Sequence, residues 1–354
     1  MSRYFSEKYI DLEPYTPGEQ PGKQQYIKLN TNENPYPPLK AVEDAVGAEA
    51  RQLHLYPDPT YAELRKAMAG KLGVSEDEVI MTNGSDEVLL FAFMAFCDPH
   101  IPAVFPDVTY GFYPVFAQIS QVPWTEIAVE DDLTIDYRKY FQAAGTVFIA
   151  NPNAPTALAL RRSEIEEILT HNPYNVVVVD EAYVDFGGES CVPLIRKYDN
   201  LLVTQTFSKS RSMAGARLGI GIGNPELIRD LNTVRFSTNP YNVNRLTVAA
   251  ALACLKHDEY NRKNCEAIRE TRNRSERTLR EMGFDVTASR TNFLFARHPK
   301  IPGEELYLEL KKRGILVRHF SQERIRDYNR ISVGTPEQMD QLIRTIKAIL
   351  EEKA

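Results

Sequence analysis

The chain has 354 residues, more than one ordinary hydrophobic core needs, so one large domain and one smaller one are expected. Hydrophobic residues make up 43% and charged residues 25%, the balance of a globular enzyme rather than of a disordered chain. The net charge of −6 gives no general pull towards nucleic acid or an anionic membrane, so any anion site must be local, built from placed arginines and backbone amides.

Residues 1–34 are polar, interrupted by Pro14, Pro17 and Pro21 and closed by Pro35, and read as an extended arm. Residues 35–250 alternate short apolar runs with helical patterns. Val79-Ile80-Met81 leads into the turn Asn83-Gly84-Ser85 and an apolar helix from Glu87 to Cys97. Further strand-like runs are Val104-Phe105, Val147 to Ala150, Val176 to Val179, Leu201 to Thr204 and Leu218 to Ile222. A helix is expected from Ser163, with Glu166 closing a capping box. Continuous Val/Ile/Leu runs separated by helices indicate an α/β fold with a mostly parallel sheet covered on both faces. In residues 251–354 the pattern turns to long charged helices, a strand near Thr291 to Ala296, and a last helix. That helix carries Met339, Leu342, Ile343, Ile346, Ile349 and Leu350 on one face, which makes an α+β small domain. Cys97, Cys191, Cys254 and Cys265 show no paired or metal-type spacing and read as reduced thiols, with no metal site among the histidines. With no signal-length apolar start and no long apolar run, a cytoplasmic protein is expected.

Several residues stand where chemistry is done. Asp180 ends a buried strand at the sheet edge where open α/β folds bind ligands, with Tyr183 three residues on. The next strand runs into Thr206-Phe207-Ser208-Lys209, and Arg217 follows eight residues later. Gly84, Ser85 and Asp86 open a helix directly after a strand, where backbone amides can hold an anion. Tyr110 lies in an aromatic stretch ending at Tyr113. Together these meet the four needs of pyridoxal 5′-phosphate: a lysine to bind it covalently, an anion for its ring nitrogen, a phosphate cradle and a flat stacking partner. Arg211 and Arg217 near Lys209 offer a means of lowering the amine pKa. Plainer readings stand beside each: Asp180 and Ser85 as caps, Tyr110 as core. The run Gly219-Ile-Gly221-Ile-Gly223 lacks dinucleotide-loop spacing and reads as structural.

Over nearly its whole length the chain resembles the fold-type I pyridoxal-phosphate aminotransferases and, within them, the histidinol-phosphate aminotransferases. The motifs are Pro14-Tyr15, LNTNENPYP (29–37), LYPDP (55–59), NGSDE (83–87), PDVTYGFY (106–113), NPNAPT (151–156), VVDEAYVDF (178–186), TFSKSRSMAGARLG (206–219), NPY (239–241), GILVRHF (314–320) and NRISVGT (329–335). The resemblance implies that Lys209 carries the cofactor, Asp180 faces the ring nitrogen, Tyr183 the ring oxygen and Tyr110 the ring face. Gly84, Ser85, Asp86, Thr206, Ser208 and Arg217 would surround the phosphate, and Tyr56 would come from the partner subunit of a homodimer. Arg330 and Arg318 would grip the substrate's anionic end, with Tyr15 and Asn32 around it. Two positions depart from the family's N-P-N-N-P-T-G. Ala154 replaces an asparagine that contacts the ring oxygen, leaving that contact to Asn153 or to Tyr183 alone. Ala157 replaces a glycine, which asks for a turn of negative φ. The implied reaction moves an amino group from histidinol phosphate to 2-oxoglutarate, giving glutamate. An aromatic amino acid aminotransferase, a threonine-phosphate decarboxylase and a non-catalytic cofactor-sensing regulator are the competing readings.

Overall fold

In the computed structural model, which describes residues 2–22 and 25–353, the apolar runs form a seven-stranded sheet. Its strands are β1 (Val79–Thr82), β2 (Ala103–Pro106), β3 (Trp124–Ile127), β4 (Thr146–Ala150), β5 (Val177–Asp180), β6 (Leu201–Thr206) and β7 (Gly219–Gly223). Their spatial order is β1-β7-β6-β5-β4-β2-β3. Only β7 runs against its neighbours; the other pairings are parallel. All residues of β1, β2, β4, β5 and β7 are buried, as a sheet covered on both faces requires. Apolar cores lie on its two sides: Val147, Ile149, Val177 and Val179 point into one, Phe148, Val178 and Leu202 into the other.

This topology brings the chemistry together. Parallel β4, β5 and β6 end side by side, so the loops after Ala150, Asp180 and Thr206 open at one edge. β1 delivers the helix Ser85–Phe96 to the same edge. Gly219 shows why β7 starts with glycine: a Cβ there would lie 2.2 Å from the Gly84 carbonyl carbon and 2.3 Å from the Ser85 nitrogen. The Gly-x-Gly run is thus the seat of the 84–85 turn, in keeping with its structural reading.

A four-stranded antiparallel sheet in the order Arg318–His319, Asn329–Ser332, Phe293–Arg297, Asp285–Val286 packs with the helices Asp258–Glu281 and Pro336–Glu352. The last helix buries Met339, Leu342, Ile346 and Ile349, spaced to line one face, each contributing about 1.5–3 kcal/mol. Within the arm, Ile27–Lys28 pairs in parallel with Ile315–Leu316. Thr16 and Pro17 are held by Arg318.

Two local expectations fail. The helix at 162–170 begins at Arg162, and its reciprocal cap is Arg161 with Glu164, not Ser163 with Glu166. The Glu164 carboxylate accepts the Arg161 amide at 2.7 Å and pairs with its guanidinium at 2.9 Å, a stronger contact than a hydroxyl offers. Ala157 sits at φ 65°, in the left-handed region rather than at negative φ. Its carbonyl accepts the Arg290 amide and its amide donates to the Asn153 carbonyl, bonds that hold it there.

Candidate active site

The cleft at the sheet edge is lined by Ser85, Asp86, Tyr110, Asp180, Tyr183, Thr206, Ser208, Lys209 and Arg217, with Ala150, Pro152, Ala154 and Ala182. Lys209 enters from the loop after β6. Its Nζ donates to the Thr31 carbonyl at 3.3 Å and lies 6.0 Å from the Tyr183 ring centroid. Loss of water around the amine, helped by the positive Arg330 and Arg217, brings its pKa down to about 8, against the opposing pull of Asp86 and Glu33. Arg211 has no part in this. Its guanidinium turns away to Asp185 at 3.2 Å and Asp258 at 3.8 Å.

Asp180 is buried. One of its oxygens accepts the Ala182 amide at 3.1 Å, so the turn-capping role is real but uses part of the carboxylate. Burial, with Asp86 and Glu181 nearby, raises its pKa to about 7. A carboxylate without solvent at a ligand edge is a place for a protonated ring nitrogen.

Asp86 organises the opposite end. It accepts the Tyr110 hydroxyl at 2.7 Å and pairs with Arg217 at 3.1 Å. Arg217 also reaches Ser208 Oγ at 3.5 Å, and Thr206 Oγ1 donates to Ser208 Oγ at 3.0 Å. Gly84 precedes the helix at φ 83°. Backbone amides at the helix start, two hydroxyls and a guanidinium thus converge where a phosphate monoester would fit.

The two arginines expected to grip an anion lie in the antiparallel sheet. Arg318 and Arg330 are direct cross-strand partners, so both side chains leave the same face. Arg330 donates to the Asn30 carbonyl at 3.1 Å and lies against Phe293 and Phe320. Its buried Nε has no hydrogen-bond partner among the described residues. Burial lowers its pKa, with Arg318 adding to the effect. Arg318 bonds the Thr16 and Pro17 carbonyls at 3.1 and 3.2 Å, and Tyr15 stacks on Phe112 at 4.2 Å.

Two expected residues, Asn153 and Asn32, sit differently. Asn153 does not line the cleft, because its amide is fully engaged: it accepts Thr109 Oγ1 at 2.7 Å and donates to the Val108 carbonyl and to Thr156 Oγ1. It does not replace the amide missing at Ala154. Asn32 donates through Nδ2 to the Tyr183 hydroxyl at 2.9 Å. Tyr56 is 77% exposed, stacks on Tyr241 and stays outside the cleft of its own chain. Thr31, Asn34 (which donates to the Lys209 carbonyl at 3.0 Å) and Ser332 are site residues for which the sequence offered motifs without roles.

A lysine, a desolvated carboxylate and an anion cradle around one cleft define a cofactor-dependent enzyme of the pyridoxal-phosphate kind. The family model described as aminotransferase class I and II matches residues 24–346, and the chain belongs to that family. Its relatives narrow the class. Histidinol-phosphate aminotransferase 1 of Bordetella parapertussis is 48% identical, over 99% of this chain and 99% of its own. Histidinol-phosphate aminotransferase of Brachyspira hyodysenteriae is 44% identical, over 99% of this chain and 100% of its own. Among solved structures, histidinol-phosphate aminotransferase from Sinorhizobium meliloti, in complex with pyridoxal-5′-phosphate, aligns with a TM-score of 0.91 at 23% identity, covering 100% of this chain and 99% of that one. An L-threonine-O-3-phosphate decarboxylase from Porphyromonas gingivalis aligns with a TM-score of 0.79 at 23% identity over 92% and 99% of the two chains. At such identities these two structures show the shared fold-type I architecture.

Proposed function

We propose that this protein transfers the amino group of histidinol phosphate to 2-oxoglutarate, using pyridoxal 5′-phosphate held on Lys209, in the cytoplasm. The observation that carries the chemistry is the meeting of Lys209, Asp180, Tyr183 and the Arg217 cradle in one cleft. The substrate assignment is supported by the full-length relatives and by Arg330, a half-buried guanidinium whose Nε meets no acceptor among the described residues.

When bound, the cofactor supplies an electron-withdrawing ring that loosens the proton on the substrate's α-carbon. The residues of the chain do the rest. Ser208, Arg217 and the amides opening the Ser85–Phe96 helix hold the phosphate, and Tyr110 covers the ring face. Asp180 keeps the ring nitrogen protonated. Tyr183 donates to the ring oxygen. Once the substrate's amine has taken its place on the cofactor, Lys209 would be a free amine with a pKa near 8, partly neutral at physiological pH, so its Nζ could take the α-proton and return it one carbon away. Arg330 and Arg318 pair with a phosphate in one half-reaction and with a carboxylate in the other, since a guanidinium accepts both. We further read residues 1–34 as an arm, 35–250 as the cofactor-binding domain and 251–354 as the small domain of a homodimer in which Tyr56 reaches the partner's cleft.

The test is spectroscopic. Purified protein is expected to be yellow, borohydride to fix the cofactor on Lys209, and histidinol phosphate to bleach the visible band. Colourless protein with unmodified Lys209 would refute the cofactor assignment. Faster turnover of phenylalanine, or carbon dioxide release from threonine phosphate, would refute the substrate.

A further inference from the structure

Tyr183 and Ala154 both line the cleft, but only the tyrosine has a proton to offer a ring oxygen. A phenol hydroxyl has one proton, and its direction depends on what fills its acceptor side. Here that side is filled: Asn32 Nδ2 donates to the Tyr183 oxygen at 2.9 Å. The orientation of the Asn32 amide is itself set. Ser332 Oγ accepts the Asn32 backbone N–H at 2.8 Å, which leaves the serine proton for Asn32 Oδ1 at 3.1 Å. With Oδ1 occupied by a donor, the NH2 end must face Tyr183. The Asn32 carbonyl accepts Asn292 Nδ2 at 2.9 Å, and its backbone stands at φ 54°, a region asparagine tolerates better than most residues. Asn32 and Ser332 are buried, so water does not compete for these bonds.

We propose that Asn32 is a positioning residue: by donating to the Tyr183 oxygen it turns the Tyr183 proton towards the cofactor's ring oxygen, compensating through Tyr183 for the amide absent at Ala154. This rests on the proposed cofactor assignment and gives Asn32 a role other than substrate contact. A donor strengthened by accepting a hydrogen bond withdraws more charge from the ring oxygen. The proton shared between that oxygen and the nitrogen of Lys209 is then held less tightly.

The readout is the pH midpoint of the visible absorption change of the holoenzyme without substrate. Asn32→Asp keeps the size and tolerates the same φ, but its carboxylate only accepts, so the Tyr183 proton turns to it and away from the cofactor. The midpoint is expected to rise by roughly one pH unit, about the net worth of one hydrogen bond. Tyr183→Phe should give a similar rise, and the double variant no more than either single one, because Asn32 acts through Tyr183. Ser332→Ala, which frees the amide to turn, should raise the midpoint by less and serves where Asn32→Asp does not fold. An unmoved midpoint in Asn32→Asp and Ser332→Ala, or additive shifts in the double variant, would overturn the inference; wild-type protein that takes up no cofactor would overturn the proposed function itself and this inference with it.

Discussion

Asp180 is held against its own electrostatic preference. Its folded pKa of about 7 lies above the ordinary 3.8, so between these pH values the folded protein keeps a proton that the unfolded chain has lost. Stability of the cofactor-free protein therefore falls as pH rises through this window, and the whole cost is present above about pH 7. Asp180→Asn removes the charge. We expect the cofactor-free variant to melt a few degrees above wild type near pH 8, with the gain vanishing below about pH 4, while transamination drops by orders of magnitude. Thermal melts at the two pH values, beside an activity assay, check both halves. A gain that persists at low pH would mean that shape rather than charge is responsible. Lys209 shifts in the opposite sense for the same reason, since burial disfavours the charged form of each group.

At the scale of elements, the anion cradle depends on a glycine that carries no chemistry. Gly219 opens β7 beneath the Gly84–Ser85 turn, and a methyl group would meet backbone rather than a movable side chain. Gly219→Ala is expected to cost about 1–3 kcal/mol or more and to weaken cofactor binding by displacing the helix start. Urea unfolding and cofactor titration together test this; a stable variant with loose cofactor, or the reverse, would separate the two roles. Such packing is hard to read in sequence. The strands, and the residues at their ends, were legible because apolar runs and the Asp180, Ser208-x₀-Lys209 and Arg217 motifs are local. Asn32 with Ser332 was not legible, since 300 residues separate the pair. Nor was the fate of Asn153, whose amide is taken by Thr109, Val108 and Thr156. The left-handed Ala157 defeated a rule about side chains because its backbone bonds outweigh the local preference.

At the scale of the whole molecule, the cleft lies where the seven-stranded sheet, the arm and the antiparallel sheet meet. Arg324 ties the last of these to the loop carrying Tyr110 through Asp107 at 2.6 Å. Tyr56 lies outside this assembly, on the surface beside Tyr241. In the proposed homodimer, mixing Tyr56→Ala and Lys209→Ala subunits leaves one site of each mixed dimer with both native residues. Two weak or inactive preparations should then gain activity on mixing and subunit exchange, measured as turnover per dimer. No gain despite demonstrated exchange would show that each cleft is complete within one chain.

The cross-strand arginines have a practical corollary. Arg318 and Arg330 repel each other from one face of a sheet, and the spare Nε of Arg330 is buried, so any small oxyanion in solution relieves a tension already present. If the two arginines take the proposed part in binding substrate, phosphate or sulfate in a storage buffer competes for the same groups. On that proposal, apparent affinities for an anionic substrate are expected to depend on the choice of buffer salt as well as on the enzyme.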